Sequence, residues 1–230
     1  MKLFGADASP FTQRVKIVAR LKGFDLPLSP LPEGGLKGDI LMGLNPMGRM
    51  PVLVADEGWA LAESVAIMAF LDETLEGPSL MPVDPQERAR VRWYVQLVDA
   101  DLSVGLRNIV RSRVVPGSAS PLTERDSADI AELGLAELNE TFAAIATLAT
   151  DAEHWLVGDK VTLADVALFP ILIMPDVVRP WNKVRDSIII PPVLTAYRDR
   201  LLLDPVFGVA ASELEASFRH IAELWGLTAA

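Results

Sequence analysis

Cysteine is absent from this chain of 230 residues. That removes disulfide scaffolds, cysteine-ligated zinc, iron–sulfur clusters and a cysteine nucleophile together. Histidine is scarce: His154 and His220 are the only imidazoles, so a histidine-rich metal site is excluded and no metal is expected. Tyr94 and Tyr197 are the only tyrosines. Long apolar runs are missing too. The longest, Val166 to Pro175, contains Pro170 and falls well short of the roughly twenty residues that span a bilayer. The opening Met1-Lys2-Leu3-Phe4 meets Asp7 too early for the apolar stretch of a signal peptide. A cytoplasmic protein without a membrane partner is the expectation. Positive charge is in deficit, 21 basic against 31 acidic residues, which disfavours a grip on nucleic acid or anionic membrane.

What is present is half apolar and about a quarter charged, the balance of a folded globular chain with material for real cores. The pattern changes character near residue 77. Before it, Lys2–Gly5 reads as a short strand, and Pro10 to Lys22 as a helix closed by Gly23. Leu26, Leu28 and Leu31 alternate in an extended piece, and a weak helical stretch follows. Val52-Leu53-Val54 and Trp59-Ala60-Leu61 flank Asp56-Glu57-Gly58 as a hairpin. Ser64 to Leu75 carries a helical stripe. The order describes a small α/β unit on a mixed sheet, residues 1–77.

Beyond Gly77-Pro78 the strand signals vanish, and residues 84–230 read as all-helical. Asp84-Pro85-Gln86-Glu87 supplies an N-cap, a proline at the first helical position and an acidic third residue. Val91, Val95, Val98, Leu102, Leu106, Ile109 and Val110 then repeat at steps of mostly three and four. Pro116 and Pro121 punctuate the chain before a second long helix with Leu135, Leu138, Phe142, Ile145 and Leu148. Thr162-Leu163-Ala164-Asp165 repeats the capping logic, Pro191-Pro192 opens another helix, and Ser212 to Leu224 is expected to be the last.

Three short stretches can carry chemistry. Ser9, before Pro10 at a strand-to-helix turn, is a good N-cap; equally, a hydroxyl among unpaired N–H groups there can stabilise an anion. No histidine or lysine base lies near it in sequence, so it is no hydrolytic nucleophile. Asn45-Pro46-Met47-Gly48-Arg49-Met50-Pro51-Val52-Leu53 is a rigid loop entering a strand. It is either an ordinary connection or, with Met50 held extended before Pro51, a place for a peptide-like ligand. Glu63-Ser64 opens a helix, either as a cap or as an acid and a hydroxyl matched to the zwitterionic end of an amino acid.

In this order the three stretches resemble the glutathione transferase family, over essentially the whole chain. The resemblance implies a thioredoxin-like domain with a mixed sheet, then a helical-bundle domain. It implies a transferase, acting in detoxification, that uses glutathione as co-substrate against a small, partly apolar electrophile. Ser9 matches the serine that activates the glutathione thiol, with Thr12 one helical turn along as an understudy. Met50 would take the cysteinyl backbone, with Pro51 cis; Glu63 and Ser64 would hold the γ-glutamyl end; Lys37 and Arg49 are the cations for the glycyl carboxylate. Trp93, Leu97, Asp101 and Arg111, with Phe218 and Trp225 near the C-terminus, are expected around the second substrate, and a homodimer is implied. The lack of an early tyrosine excludes tyrosine-type activation, and the lack of cysteine excludes the cysteine-dependent branches. The Ser-Ser-Cys-like run of the maleylacetoacetate isomerases is missing. Asp7-Ala8-Ser9-Pro10-Phe11 is closer to the plant-type serine enzymes and their bacterial relatives. A glutathione-dependent isomerase or lyase, and a non-catalytic interaction module, remain the alternatives.

Overall fold

The structure is a computed structural model that describes residues 1–113, 124–149, 154–178 and 187–224, with the side chains of 110–113 and 124–128 outside the description. Pro116, Pro121 and Trp225 lie outside the described residues, and Arg111 and Val110 outside the described side chains. β1 (Lys2–Phe4) leads into α1 (Pro10–Leu21), β2 (Leu28–Ser29), a 3₁₀ turn (Gly35–Lys37), α2 (Asp39–Leu44), β3 (Val52–Val54), β4 (Ala60–Ala62) and α3 (Ser64–Thr74). The sheet runs β2-β1-β3-β4. β1 is parallel to β2 and antiparallel to β3, and the β3–β4 hairpin pairs Val52 with Ala62 and Val54 with Ala60. The expected mixed sheet is there, although only two residues of the Leu26–Leu31 piece pair as a strand. Leu3, Leu53, Ile67, Met68 and Leu71 are buried between sheet and helices.

Every described element after Thr74 is helical: α4 (Pro85–Gln96), a π-helical segment (Leu97–Leu102), α5 (Ser103–Arg113), α6 (Glu124–Leu148), α7 (Leu163–Val178), α8 (Pro192–Leu201) and α9 (Pro205–Leu224). Asp84 caps α4 as its sequence predicts, accepting from the backbone N–H groups of Gln86 and Glu87 at 2.9 Å each. Asp165 goes further than a cap. Its buried carboxylate accepts from Thr162 N–H and hydroxyl, Leu156 N–H and the Tyr197 hydroxyl. Burial pushes its pKa up against those four donors, and the same carboxylate adds to the burial that pushes Tyr197 up. α9 begins seven residues before Ser212, because Asp204-Pro205 repeats the Asp84-Pro85 start: Asp204 accepts from Val206 and Phe207 N–H. α7 is buried nearly throughout despite Pro170 and Pro175 inside it. Among the described residues no helix is long and apolar enough to cross a membrane.

The α5–α6 crossing is set by two glycines. A Cβ on Gly105 would lie 2.7 Å from the Gly134 carbonyl, and one on Gly134 would lie 2.7 Å from the Gly105 carbonyl. α1 is the hinge-pin of the whole, packing on α3 within the first unit and on α7 and α9 of the helical one. Two ion-pair sets bind it there. Lys16 and Arg20 pair with Glu213 of α9, and Lys22 pairs with the buried Asp72 of α3 at 2.7 Å.

Candidate functional site

Ser9 stands at the N-cap of α1, where its Oγ accepts from the Thr12 N–H at 3.4 Å, a long contact that leaves the hydroxyl capable of a second role. The loop that follows α2 is pinned from within by Asn45, itself 4 % exposed. Its amide donates to the Arg49 carbonyl at 2.9 Å, and its oxygen accepts from Met47 N–H at 3.1 Å. The loop delivers Met50 to β3 through a cis Met50–Pro51 bond. β4 then ends at Glu63, which has φ 71°, the one non-glycine residue among the described residues with positive φ. Backbone in that region is disfavoured for a residue with a Cβ, and Glu63 is exposed, with no side-chain capping bond to α3. Ser64 follows, buried at the first turn of α3.

These pieces share one cavity of about 510 Å³. It is lined by Ser9, Phe11, Arg49, Met50, Pro51, Glu63 and Ser64 on one side and by Asp99, Ser103 and Arg107 on the other. Two helix N-termini, of α1 and α3, open onto it, and each offers free N–H groups and a partial positive charge to an anion. Lys37 sits at its rim, exposed, donating to the Met47 carbonyl at 3.3 Å beside the lining residue Gly48. Thr12 is elsewhere. It is fully buried, accepts from the Ala6 N–H at 3.3 Å and packs under Gly5.

The far wall differs from the sequence expectation. Trp93 and Asp101 point to the outside, Leu97 packs on the core and Phe218 is buried on α9; none lines the cavity. The reason is angular. Val98, Leu102 and Leu106 face the core; residues 97 and 101 each come one position before that stripe and residues 99, 103 and 107 one position after it, so the two sets lie on opposite flanks of the face. The core stripe is legible in the sequence, but which flank meets the first domain is decided by tertiary packing.

Sequence reasoning missed Arg14. It is 0 % exposed and lies behind the cavity wall. Its Nε donates to the Ala167 carbonyl at 2.9 Å and Nη1 to Asp99 at 2.9 Å. Longer contacts, 3.4 Å from Nη1 to Ser64 Oγ and 3.3 Å from Nη2 to Ser103 Oγ, complete the set. The Phe11 ring lies 5.0 Å from its guanidinium. Burial pulls the Arg14 pKa down, and the Asp99 charge and hydrogen bond hold it up; a guanidinium stays charged in either case. One side chain of α1 thus ties α3, the π-helical segment, α5 and α7 together at the cavity. The signal was available: Arg14 falls on the stripe of Phe11, Ile17 and Val18, where a cation needs a buried partner. Ser103 completes the arrangement by donating to the Val98 carbonyl at 2.7 Å across the π turn, a kind of helix irregularity common at functional sites. Among the described residues no histidine, cysteine, aspartate or glutamate cluster is gathered to hold a metal.

Residues 8–74 match the N-terminal domain of glutathione S-transferase, and residues 110–202 match its C-terminal domain. The maleylacetoacetate isomerase of Pseudomonas aeruginosa is 31% identical over 197 residues, 80% of this chain and 88% of that protein. Among solved structures, the Tau class glutathione S-transferase from mango, Mangifera indica, superposes with a TM-score of 0.74 at 24% identity, covering 97% of each chain. A glutathione S-transferase of Methylobacterium radiotolerans, in complex with glutathione sulfonate, superposes with a TM-score of 0.69 at 26% identity. It covers 91% of this chain and 93% of that one. With a thioredoxin-like unit and a helical unit each matched by its family model, and a relative 31% identical over 80% of the chain, the chain belongs to the glutathione S-transferase family.

Proposed function

We propose that this protein binds glutathione in the 510 Å³ cavity and activates its thiol as thiolate for attack on a small electrophile, with Ser9 as the activating group. The observation that carries this reading is that Ser9, Met50 and the pair Glu63-Ser64, from three separate stretches of sequence, line the same cavity. Met50 offers backbone groups to the cysteinyl part. Ser64 and the N–H groups of α3 suit the γ-glutamyl carboxylate, and Glu63 its ammonium. Arg49, with Lys37 at the rim, suits the glycyl carboxylate. A free thiol with pKa about 8.5 is only a few per cent thiolate at neutral pH. A hydroxyl hydrogen bond and the α1 N-terminus together offer about 1–3 kcal/mol of preference for the anion, which lowers that pKa by one to two units. The α1 capping bond of Ser9 does not compete with this role, since the hydroxyl accepts from Thr12 while its own proton is free to point at sulfur. Thiolate absorbance of bound glutathione, titrated in wild type and Ser9→Ala, tests it: the mutant titration should move up by one to two units, and coincident curves would leave Ser9 a cap only.

A second reading has support from the isomerase of Pseudomonas aeruginosa: glutathione-dependent isomerisation on the same site, which regenerates the free tripeptide. A product assay separates the two, since isomerisation leaves no stable conjugate. We also propose a homodimer, in which each first domain packs on the partner's helical domain. A cleft of about 320 Å³ between α3 and α4, lined by Val65, Met68, Met81, Val91 and Val95, supports it. Sedimentation at micromolar concentration should give twice the 25.0 kDa of the chain. The cytoplasm, where glutathione is abundant, is the proposed location, with clearance of electrophiles as the role.

A further inference from the structure

We infer that the second substrate carries a carboxylate and that Arg107 is the residue that selects it. This rests on the reading of the cavity as a glutathione site and names the class of molecule that shares it. The argument is one of unmatched charge. The charged groups lining the cavity are Arg49, Glu63, Asp99 and Arg107. Asp99 is answered by the buried Arg14 at 2.9 Å. Glutathione brings two carboxylates and an ammonium, which Arg49, the α3 N-terminus and Glu63 answer in turn. Arg107 is left over. It is half-buried, and among the described residues it has no hydrogen bond and no ion pair.

The chain has 31 acids to 21 bases, so a carboxylate partner for an inward-facing arginine is easy to supply. The other arginines that reach into the structure are each answered, among the described residues, by a carboxylate or a carbonyl: Arg14 has Asp99, Arg20 has Glu213 and Arg198 has Asp176, while Arg88 and Arg200 donate to the Pro82 and His154 carbonyls. On the cavity wall the available hydroxyl is also committed, since Ser103 Oγ accepts from Arg14 and donates to the Val98 carbonyl. Arg107 lies one α5 turn beyond Ser103, about 6 Å along the axis, clear of the Arg14 network. A guanidinium so placed, only partly hydrated and without an internal partner, presents a planar fork that matches a carboxylate. Phe11 lines the same space and gives the apolar part of the substrate a surface. The composite is a pocket for a small acid with an apolar body.

The test uses the intact protein loaded with S-methylglutathione, an unreactive thioether, and a pair of near-isosteric probes, 4-nitrobenzoate and 4-nitrobenzamide, measured by equilibrium dialysis. Wild type should bind the acid at least roughly tenfold more tightly than the amide, as one charge-assisted hydrogen-bonded pair provides. Arg107→Gln should bring that ratio close to one, and Arg107→Lys should restore part of it. S-methylglutathione affinity, read in the same samples, should be unchanged by either substitution. Equal binding of acid and amide by wild type, undetectable binding of the acid, or a preference that survives Arg107→Gln would each overturn the proposal. So would a loss of S-methylglutathione binding in Arg107→Gln, which would assign the arginine to the tripeptide. Failure of S-methylglutathione to bind wild type would instead remove the transferase reading, and the acid-to-amide ratio on the unloaded protein would still decide the anion site.

Discussion

The two walls of the cavity are made in different ways. The first-domain wall works largely with backbone: a loop pinned by Asn45, an extended Met50 before Pro51 and the opening turns of α1 and α3. Its residues come in short consecutive stretches, two of them marked by proline or glycine. The helical-domain wall works with side chains alone, Asp99, Ser103 and Arg107 at steps of four, and its identity depends on how one helix is rotated. Recognition by main chain constrains sequence at a few punctuating residues and tolerates change elsewhere. Recognition by helix side chains can be rewritten residue by residue without disturbing the fold. The first wall is therefore suited to an invariant ligand and the second to a variable one. Arg14 belongs to both, since it touches Ser64 on one side and Asp99 and Ser103 on the other.

Removing that shared residue should have the largest effect. Arg14→Met keeps the volume of the stem but leaves the Ala167 carbonyl, Ser64, Ser103 and Asp99 without their donor. Breaking a buried pair in this way costs about 3–5 kcal/mol. The lower end is expected, because the Asp99 side chain is 43 % exposed and water can take over part of its solvation. Urea unfolding measures it, and a loss below about 1 kcal/mol would show that the walls are not joined through Arg14. Next is Ser9→Ala, expected to lower turnover about ten- to a hundredfold with glutathione affinity nearly kept, since the hydroxyl is proposed to face the group whose charge changes. An equal loss in affinity and turnover would instead make Ser9 a binding residue. The two flanks of the core stripe can be set against each other. Ser103→Ala should cost about 1 kcal/mol, whereas Asp101→Ala on the outer flank should stay within about 0.5 kcal/mol and leave activity unchanged. An Asp101→Ala enzyme with impaired catalysis would return that flank to the site.

A further small effect concerns the far side of α1, where Glu213 of α9 meets Lys16 and Arg20. Burial pushes the Glu213 pKa up, but hydrogen bonds from Arg20 and Lys16 and their charges outweigh it, and the net shift is downward from 4.5. A folded pKa below the unfolded one means stability present above about pH 4.5 and lost as pH falls through the lower folded value. Asp165, raised by burial from 3.8, acts in the opposite sense: its contribution is present at low pH and lost as pH rises through its folded value. Acid unfolding of the wild type mixes the two. The difference between wild type and Glu213→Gln isolates the first: under about 1 kcal/mol at neutral pH, shrinking as pH falls below 4.5. A difference independent of pH would mean that charge on Glu213 does not hold α9 to α1.

Much of this was legible in the sequence where a single residue fixes a local geometry. Asp84-Pro85, Thr162 to Asp165, Gly23 and the loop from Asn45 to Pro51 each carry their own reason, and the elements they bound are where they were expected. The α9 start was legible in principle, since Asp204-Pro205 copies Asp84-Pro85. It was obscured by the small residues Gly208, Ala210 and Ala211, which weaken the apolar stripe. Arg49 lines the cavity and Lys37 stands beside its lining residue Gly48, whereas Thr12 is drawn inward by the Ala6 N–H. The helical wall was not legible, because periodicity identifies a face but not its handed neighbour, and a π turn at Leu97–Leu102 adds a rotation that no residue announces.

The backbone at Glu63 has one more consequence. A glutamate at φ 71° holds a conformation that glycine would adopt freely, at a cost of about 1–3 kcal/mol to the folded chain. Thermostability selection on this protein, run without any demand for activity, should therefore drift toward Glu63→Gly. The variant should melt higher than its parent and lose the carboxylate that the cavity presents. Position 63 is then a point where robustness and usefulness pull in opposite directions, and a glutamate found there records which of the two was kept.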